Sequence, residues 1–312
     1  MNNRPTTLAE YIGQTRLKEH ILVLVNSSAK SEQVADHLLL YGPPGLGKTS
    51  LATIIAHELN APLKVTTGTM LERVGDLVAL LTSLPPQSVL FIDEIHRLKR
   101  PLEEALYSAM EDFTIDVIFG KGAGSKSMRL NLPPFMLIGA TTRLGVIARP
   151  LRDRFGSVMH LDYYSDAELV TILTRMAQTM KIKVSNTDLR LIAQRSRQTP
   201  RIALRILKRV RDYTLAKTGS NNITTEHINN TLRLLHIDEL GLDKIDLLYL
   251  TYLAHQQHNS PTGISTIAAA LNEERETLED VVEPYLLQLA FIKKTPRGRV
   301  VTDRAIAHLG LI

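Results

Sequence analysis

The chain has no cysteine among its 312 residues. That excludes disulfide bonds, thiolate metal sites and a thiol nucleophile, and it points to a reducing, intracellular setting. Long apolar runs are missing too: nothing approaches the roughly 18 consecutive apolar residues of a membrane span. The first ten positions, Met1 to Glu10, are polar and lack the apolar stretch of a secretory leader. Secretion and membrane insertion are therefore not expected, and a cytoplasmic location is. Low-complexity tracts, internal repeats and long structureless linkers are also lacking. The ten histidines, His96 and His160 among them, show no metal-ligand spacing, so no zinc site is expected.

With 44% hydrophobic and 22% charged residues, the chain has the composition of an ordinary globular protein with room for two or three domains. Its net charge of +5 suits a polyanionic partner, but an excess of this size is common and the placement of the charges must decide.

The strongest local signal is Gly42-Pro43-Pro44-Gly45-Leu46-Gly47-Lys48-Thr49, which fits G-x-x-x-x-G-K-[ST]. It lies between an apolar run, Leu38 to Tyr41, and a segment with helical spacing that starts at Ser50 and carries Leu51, Ile54, Ile55 and Leu59. Glycines let backbone N–H groups turn toward phosphates, Lys48 supplies a point charge to the β and γ groups, and the Thr49 hydroxyl can ligate Mg²⁺. Val89 to Ile92 reads as an apolar strand ending in Asp93-Glu94, which puts Asp93 in position to hold Mg²⁺ and Glu94 to polarise the attacking water. Phe135 to Gly139 is a further strand, leading to Ala140-Thr141-Thr142-Arg143, whose hydroxyls are candidates for orienting that water. Past Pro150, the turn Leu151-Arg152-Asp153-Arg154-Phe155-Gly156 offers two arginines, Arg152 and Arg154, as surface ion-pair partners or as a charge delivered to a neighbouring subunit's γ-phosphate. Arg201, in Thr199-Pro200-Arg201, opens another helical segment and is placed to reach back over nucleotide.

Leu38 to about Asp162 alternates apolar strands with amphipathic helices, the mark of a parallel sheet covered on both faces. From Asp166 to Leu235 the spacing is helical. A linker at Ile237 to Asp243 leads to three more helices, the last spanning Thr277 to Leu289, and to a hairpin over Phe291 to Thr302, a winged-helix pattern. The expected fold is thus an α/β P-loop ATPase domain over residues 1–164, a small all-α lid over 165–236 and a winged-helix head over 237–312. The hairpin carries Lys293, Lys294, Arg297 and Arg299, enough charge for successive DNA phosphates. The helical region before it carries Glu273, Glu274, Glu276, Glu279, Asp280 and Glu283, which should repel phosphate and disfavour base reading. Arg195, Arg197, Arg205, Lys208, Arg209 and Arg211 form a second basic stripe, expected to be solvated or subunit-facing rather than DNA-binding.

Together these motifs resemble an AAA+ ATPase, with Gly42 to Thr49 as Walker A, Asp93-Glu94 as Walker B, Thr141-Thr142 at sensor 1, Arg154 as arginine finger and Arg201 at sensor 2. Over Arg4 to Leu309 the chain is similar to the RuvB family, the bacterial Holliday junction branch migration motors. Arg4-Pro5, Glu10-Tyr11-Ile12-Gly13-Gln14, Asp93-Glu94-Ile95-His96-Arg97-Leu98, Gly139-Ala140-Thr141-Thr142-Arg143 and Thr295-Pro296-Arg297-Gly298-Arg299 carry that resemblance. It implies ATP and ADP binding with Mg²⁺ at Thr49 and Asp93. The implied nucleotide contacts are Arg4, Gly45, Gly47, Lys48, Thr49, Ser50, Glu111, Asp112, Phe113, Arg154, Tyr164 and Arg201. The implied catalytic set is Lys48, Asp93, Glu94, Thr142, Arg154 and Arg201. It also implies DNA contacts at Arg275, Lys294 and Arg299, a hexameric ring acting on four-way junctions and duplex DNA in recombination and repair, and docking of the partner RuvA on the hairpin at residues 114–132. The RuvC resolvase is a further implied partner. Ile115, Val117 and Phe119 alternate along that hairpin, a pattern that equally suits packing on its own domain. Asn3, Lys121 and Gln198 depart from the family: an apolar residue, an often acidic one and a glycine are usual there. The rival readings are a clamp-loader-like or initiator ATPase, and a nucleotide-binding adaptor that hydrolyses poorly.

Overall fold

In the computed structural model, residues 5–31, 33–119, 126–256 and 260–311 are described; Asn3, Arg4 and Lys121 lie outside them. Two compact units emerge, Met1–Gly42 with Gly47–Asp162, and Pro43–Leu46 with Tyr163–Ile312.

The first unit is built on a five-stranded sheet of order β2-β3-β6-β1-β7, all neighbours parallel. Its strands are β1 (Leu38–Tyr41), β2 (Leu63–Thr67), β3 (Ser88–Asp93), β6 (Phe135–Thr141) and β7 (Ser157–His160). Residues of β3 and β6 are buried almost throughout, including Leu90, Phe91, Ile92, Phe135 and Leu137, each worth roughly 1.5–3 kcal/mol in side-chain burial. This two-faced burial is why those strands read as continuous apolar runs. Helices α1 (Thr15–Ser31), α2 (Lys48–Glu58), α3 (Val74–Thr82), α4 (Arg100–Glu111) and α5 (Arg149–Arg152) complete the layers. The register pairs Tyr41 with Thr141, and Ile92 with Gly139. The carboxyl ends of β3, β6 and β1 therefore lie side by side, where open α/β sheets hold ligands. A Cβ on Gly139 would stand 3.0–3.1 Å from Ile95, Leu39 and Phe155, so glycine keeps this crowded centre closed.

A separate antiparallel hairpin pairs β4 (Thr114–Phe119) with β5 (Lys126–Asn131). Ile115 is buried in the unit's own core, Val117 is half-buried, and Met128 is 47% exposed. Arg129 holds Asp116 across the ladder through two bonds of 3.0 Å. The base of the hairpin thus packs at home, while Met128 on β5 is exposed.

The second unit holds α6 (Asp166–Thr179), α7 (Asn186–Gln194), α8 (Pro200–Thr218) and α9 (Thr225–Leu234). Beyond them come α10 (Lys244–Ala254), α11 (Ile264–Leu271), α12 (Arg275–Thr277), α13 (Glu283–Gln288) and α14 (Asp303–His308). Strands β8 (Ile292–Thr295) and β9 (Gly298–Val301) form the wing. Capping boxes open α6 with Ser165 and Glu168 and α10 with Asp243 and Asp246. Tyr249, Leu250, Leu286, Phe291 and Val301 share one core cluster, which joins the wing to the helices beneath it.

Several elements differ from expectation. α2 starts at Lys48, two residues earlier than the spacing indicates, because Gly47 at φ 100° makes the turn into the helix. α1, α14 and the edge strand β7 carry weak local patterns and are found only in the structure. The continuous helix expected over Thr277 to Leu289 is interrupted by a π-helical stretch, Leu278–Val282, ahead of Pro284 in the first turn of α13. Proline donates no N–H, and the register shifts there to a wider turn.

Candidate active site

In the first unit, the Walker loop is shaped by backbone that only glycine adopts readily. Gly42 and Gly47 have φ of 144° and 100°. A Cβ on Gly47 would meet the Tyr11 hydroxyl at 2.9 Å, and one on Gly42 would meet Leu161 O at 2.7 Å. Tyr11, from the Glu10-Tyr11-Ile12-Gly13-Gln14 motif, is therefore a buried wall of the loop. No side chain caps α2, so its first-turn N–H groups remain directed at the loop, the arrangement that favours phosphate. The buried Lys48 donates to Gly42 O at 2.7 Å, which holds its ammonium within the loop. Ser50 follows, half-buried in the first turn.

Thr49 Oγ1 donates to Asp93 Oδ2 at 3.2 Å. One hydroxyl and one carboxylate, with no group of three or more His, Cys, Asp or Glu among the described residues that could cage a metal, is the donor set Mg²⁺ uses when phosphates supply the remaining ligands. Glu94 has φ 49°, and its N–H donates to Asp93 Oδ1 at 3.0 Å. This left-handed residue ends the strand abruptly, and the Glu94 side chain is exposed. The turn requires Gly68 beside it, where a Cβ would stand 2.5 Å from Glu94 O.

At the end of β6, Thr141 is buried; its hydroxyl accepts from Arg143 N at 2.9 Å and meets His96 Nδ1 at 3.0 Å. His96 thus ties Walker B to sensor 1, while Thr142 is half-buried just beyond. His96, one of the scattered histidines in the sequence, follows Asp93 by three residues, and only the pairing of β3 with β6 brings it to Thr141.

Arg154 sits against α4. It donates to Pro150 O at 2.7 Å, pairs with Glu111 Oε2 at 3.1 Å, and its guanidinium lies 4.5 Å from the centre of the Tyr107 ring. Among the described residues, its buried Nε has no hydrogen-bond partner. Arg154 and the Glu111-Asp112-Phe113 segment, both proposed to touch nucleotide, are thus brought together. Phe113 takes φ 50° and packs edge-on to His37 and Phe135. The buried His37 accepts from Leu137 N at 2.9 Å through Nδ1 and so donates from Nε2 to Met110 O at 3.0 Å; burial lowers its pKa and keeps the ring neutral.

In the second unit, the loop tip Pro43–Leu46 meets two of the expected contacts. Arg201 N donates to Gly45 O at 3.4 Å, and the buried Tyr164 donates its hydroxyl to Leu46 O at 3.3 Å. The Arg201 side chain is exposed. Gln198, where the family has glycine, takes φ 54°, directly after Arg197 at φ 49°. Two consecutive left-handed residues explain the glycine preference; each non-glycine costs of order 1 kcal/mol. Gln198 still makes the turn, its carbonyl accepting from Tyr164 N at 3.0 Å. Arg197 is a correction to the solvated stripe: it is 7% exposed and paired with Asp243 and Asp246.

The wing cations are less available than the sequence implies. Lys294 Nζ lies 2.6 Å from Glu283 Oε2, Arg299 Nε lies 2.7 Å from Glu283 Oε1, and Arg299 Nη2 lies 3.2 Å from Glu279 Oε1. Arg275 also pairs with Glu279, at 3.3 Å. Glu283, expected among the phosphate-repelling acids, is fully buried and accepts from Tyr249 as well, at 2.8 Å. Burial pushes the Glu283 carboxyl up, but hydrogen bonds from Arg299, Lys294 and Tyr249 outweigh it and hold the group below its ordinary value. Lys293 and Arg297 are exposed and make no ion pair among the described residues. Gly298 lets the wing approach the segment before α11 closely: a Cβ there would stand 2.4 Å from Thr262 O.

Comparison with known proteins agrees across the chain. The family described as Holliday junction DNA helicase RuvB P-loop domain matches residues 3–161, the RuvB AAA lid domain matches 164–238, and the RuvB C-terminal winged helix domain matches 239–310. Among solved structures, a proline-to-glycine mutant of Thermotoga maritima RuvB is 45% identical, with a TM-score of 0.90 over 98% of both chains. The Thermotoga maritima RuvB Holliday junction branch migration motor is 44% identical, with a TM-score of 0.89 over 99% of this chain and 98% of that one. An alanine-to-serine mutant from the same organism is 44% identical, with a TM-score of 0.91 over 99% of each.

Proposed function

The chain belongs to the RuvB family of Holliday junction branch migration motors, and from that premise we propose how its residues divide the work. It is an AAA+ ATPase that hydrolyses ATP to ADP and phosphate and drives branch migration. Lys48 and the N–H groups at the start of α2 hold the β and γ phosphates, with Gly45, Gly47 and Ser50 forming the cradle. Mg²⁺ held by Thr49 and Asp93 would neutralise phosphate charge there. Glu94 orients the attacking water and takes up its proton, and Thr142 fixes that water from the other side. Arg154 serves the neighbouring subunit: it releases Glu111 and stabilises transition-state charge there, worth roughly 10³-fold or more. Arg4, Tyr164 and Arg201, with Glu111-Asp112-Phe113, complete the nucleotide contacts.

The ATPase part is residues 1–164, the lid 165–236 and the DNA-gripping head 237–312. The head follows the backbone of duplex arms through Arg275, Lys294 and Arg299, with no base reading. Six copies form a ring, RuvA docks on the outer part of the 114–132 hairpin, RuvC joins the assembly, and the motor works in the cytoplasm. Among the described residues, no helix is long and apolar enough to cross a membrane.

One observation carries the catalytic assignment: Thr49 and Asp93, 44 positions apart, meet at 3.2 Å beside an outward-turned Glu94. The test is ATP-dependent dissociation of a synthetic four-way junction by the protein with RuvA. Glu94→Gln should lower turnover by roughly 10²–10⁴-fold and stop migration. ATP hydrolysis without junction movement, where RuvA binds the junction, would favour a loader; undiminished hydrolysis in Glu94→Gln would refute the role of Glu94.

A further inference from the structure

The turn that leads into Arg201 is also the joint to the winged-helix head. Arg197 Nε donates to Gly241 O at 2.8 Å, and its Nη2 holds Asp243 at 2.8 Å and the buried Asp246. Those two acids are the capping box of α10, so the arginine of the lid grips the first turn of the head's first helix. Its guanidinium lies 5.5 Å from the Tyr285 ring centre, and the Tyr285 hydroxyl donates to Leu240 O at 2.6 Å. The next residue, Gln198, accepts from Gln288 at the end of α13. Gly241 presses so closely on the lid that a Cβ would stand 2.6 Å from Arg195 O.

From Asp246 the connection continues inward. One helical turn along α10, Tyr249 donates to Glu283, which holds Arg299 and Lys294 of the wing. Sliding at this joint would leave buried charges unpaired, which is strongly opposed. A route of contacts becomes a mechanism only when coupling along it is measured.

We propose that Arg197 is a positioning residue that locks the lid to the head, so that motion begun at the nucleotide-facing Arg201 reaches the wing without loss. The inference rests on the motor reading above and extends it: lid and head turn as one lever through the ATP cycle. It requires Arg197→Lys, which keeps the charge but loses the planar fork, to separate hydrolysis from movement.

The lack of cysteine in the chain makes the test direct. Spin labels at Lys217→Cys in the lid and Asp303→Cys in the head, both exposed, report their separation in the full-length protein with Mg²⁺ and either ADP or a slowly hydrolysed ATP analogue. One narrow distance, the same in both states and broadened by Arg197→Lys, is expected. A distance that shifts between nucleotides in the parent chain, or stays narrow in Arg197→Lys, overturns the lever. In the junction assay, Arg197→Lys should keep ATP turnover within about twofold while migration per ATP falls about tenfold or more. Joining Gln198→Cys to Gln288→Cys with a short bifunctional thiol reagent should leave the otherwise unaltered chain active and restore coupling to Arg197→Lys. A cross-link that halts migration, or fails to restore it, counts against the lock. A parent chain that hydrolyses ATP yet moves no junction overturns the motor reading, and the label distances still decide the lever.

Discussion

The Walker loop and the wing both present cations suited to phosphate, but they hold them differently. Lys48 donates to Gly42 O, a neutral carbonyl of its own loop six residues away. Lys294 and Arg299 instead hold Glu283, a carboxylate with no exposure that also binds Tyr249. In the loop, function is positioned by local backbone, so the side chains that act are separable from those that hold the fold. In the wing the side chains proposed to contact DNA also hold the fold, so changing one is expected to disturb stability and DNA contact together.

The largest expected effect tests the separable half. Arg154→Ala should lower ATP turnover by roughly 10³-fold in the assembled ring while leaving ADP binding by the isolated subunit intact. Mixing Arg154→Ala with Glu94→Gln subunits should recover part of the activity, because each supplies what the other lacks. Absence of recovery in a steady-state ATPase assay would rule out action across a subunit boundary.

Glu283→Gln comes next and addresses the inseparable half. It removes the buried charge that faces the half-buried Arg299 and the exposed Lys294 and should cost about 3 kcal/mol, read as a lower urea midpoint. Glu94→Gln, at an exposed position, should stay within about 0.5 kcal/mol of the parent. Similar midpoints for the two variants would erase the contrast between loop and wing.

Lys293→Ala with Arg297→Ala asks whether the wing also keeps separable cations. Both are exposed and unpaired by carboxylates among the described residues, so stability should hold while the slope of log binding constant against log salt falls by about 2. An unchanged slope for a duplex-arm probe would leave the grip to Arg275, Lys294 and Arg299 alone.

The smallest effect concerns Asp246. Burial pushes its carboxyl up to about 7, although the Arg197 guanidinium opposes the rise. The folded value lies above the ordinary value of 3.8, so the folded state binds this proton more tightly. The stabilisation it brings is complete below the ordinary value and is lost as pH rises through about 7. Asp246→Asn should flatten that decline in the urea midpoint; a parallel decline in both proteins would count against it.

How far the sequence leads follows from the range of the interactions. Gly42, Gly47, Lys48 and Thr49 are neighbours, and their glycines, lysine and hydroxyl declare the loop before any fold is known. Ser165 with Glu168 and Asp243 with Asp246 likewise announce helix starts within four residues. Thr141 meeting His96 depends on two strands lying next to each other, and nothing near either residue encodes that. Glu283 reads as one more acid in an acidic stretch, and only the packing of α13 under the wing shows that it is a buried partner of Arg299. Arg197 reads as part of a solvated basic stripe for the same reason, since its partners lie 46 and 49 positions away.

The sequence by itself determined the motifs: a phosphate loop, a hydroxyl and a carboxylate proposed to hold magnesium, a glutamate proposed to polarise water, and a cation-rich hairpin in the winged-helix region. Those depend on residue type and short spacing, which the backbone converts to geometry with little help from elsewhere. The tertiary structure decided which cations are held by carboxylates, which histidine joins Walker B to sensor 1, and where the lid meets the head. Burial and long-range pairing set those outcomes, because a charge removed from water takes whichever partner the fold brings within hydrogen-bond reach.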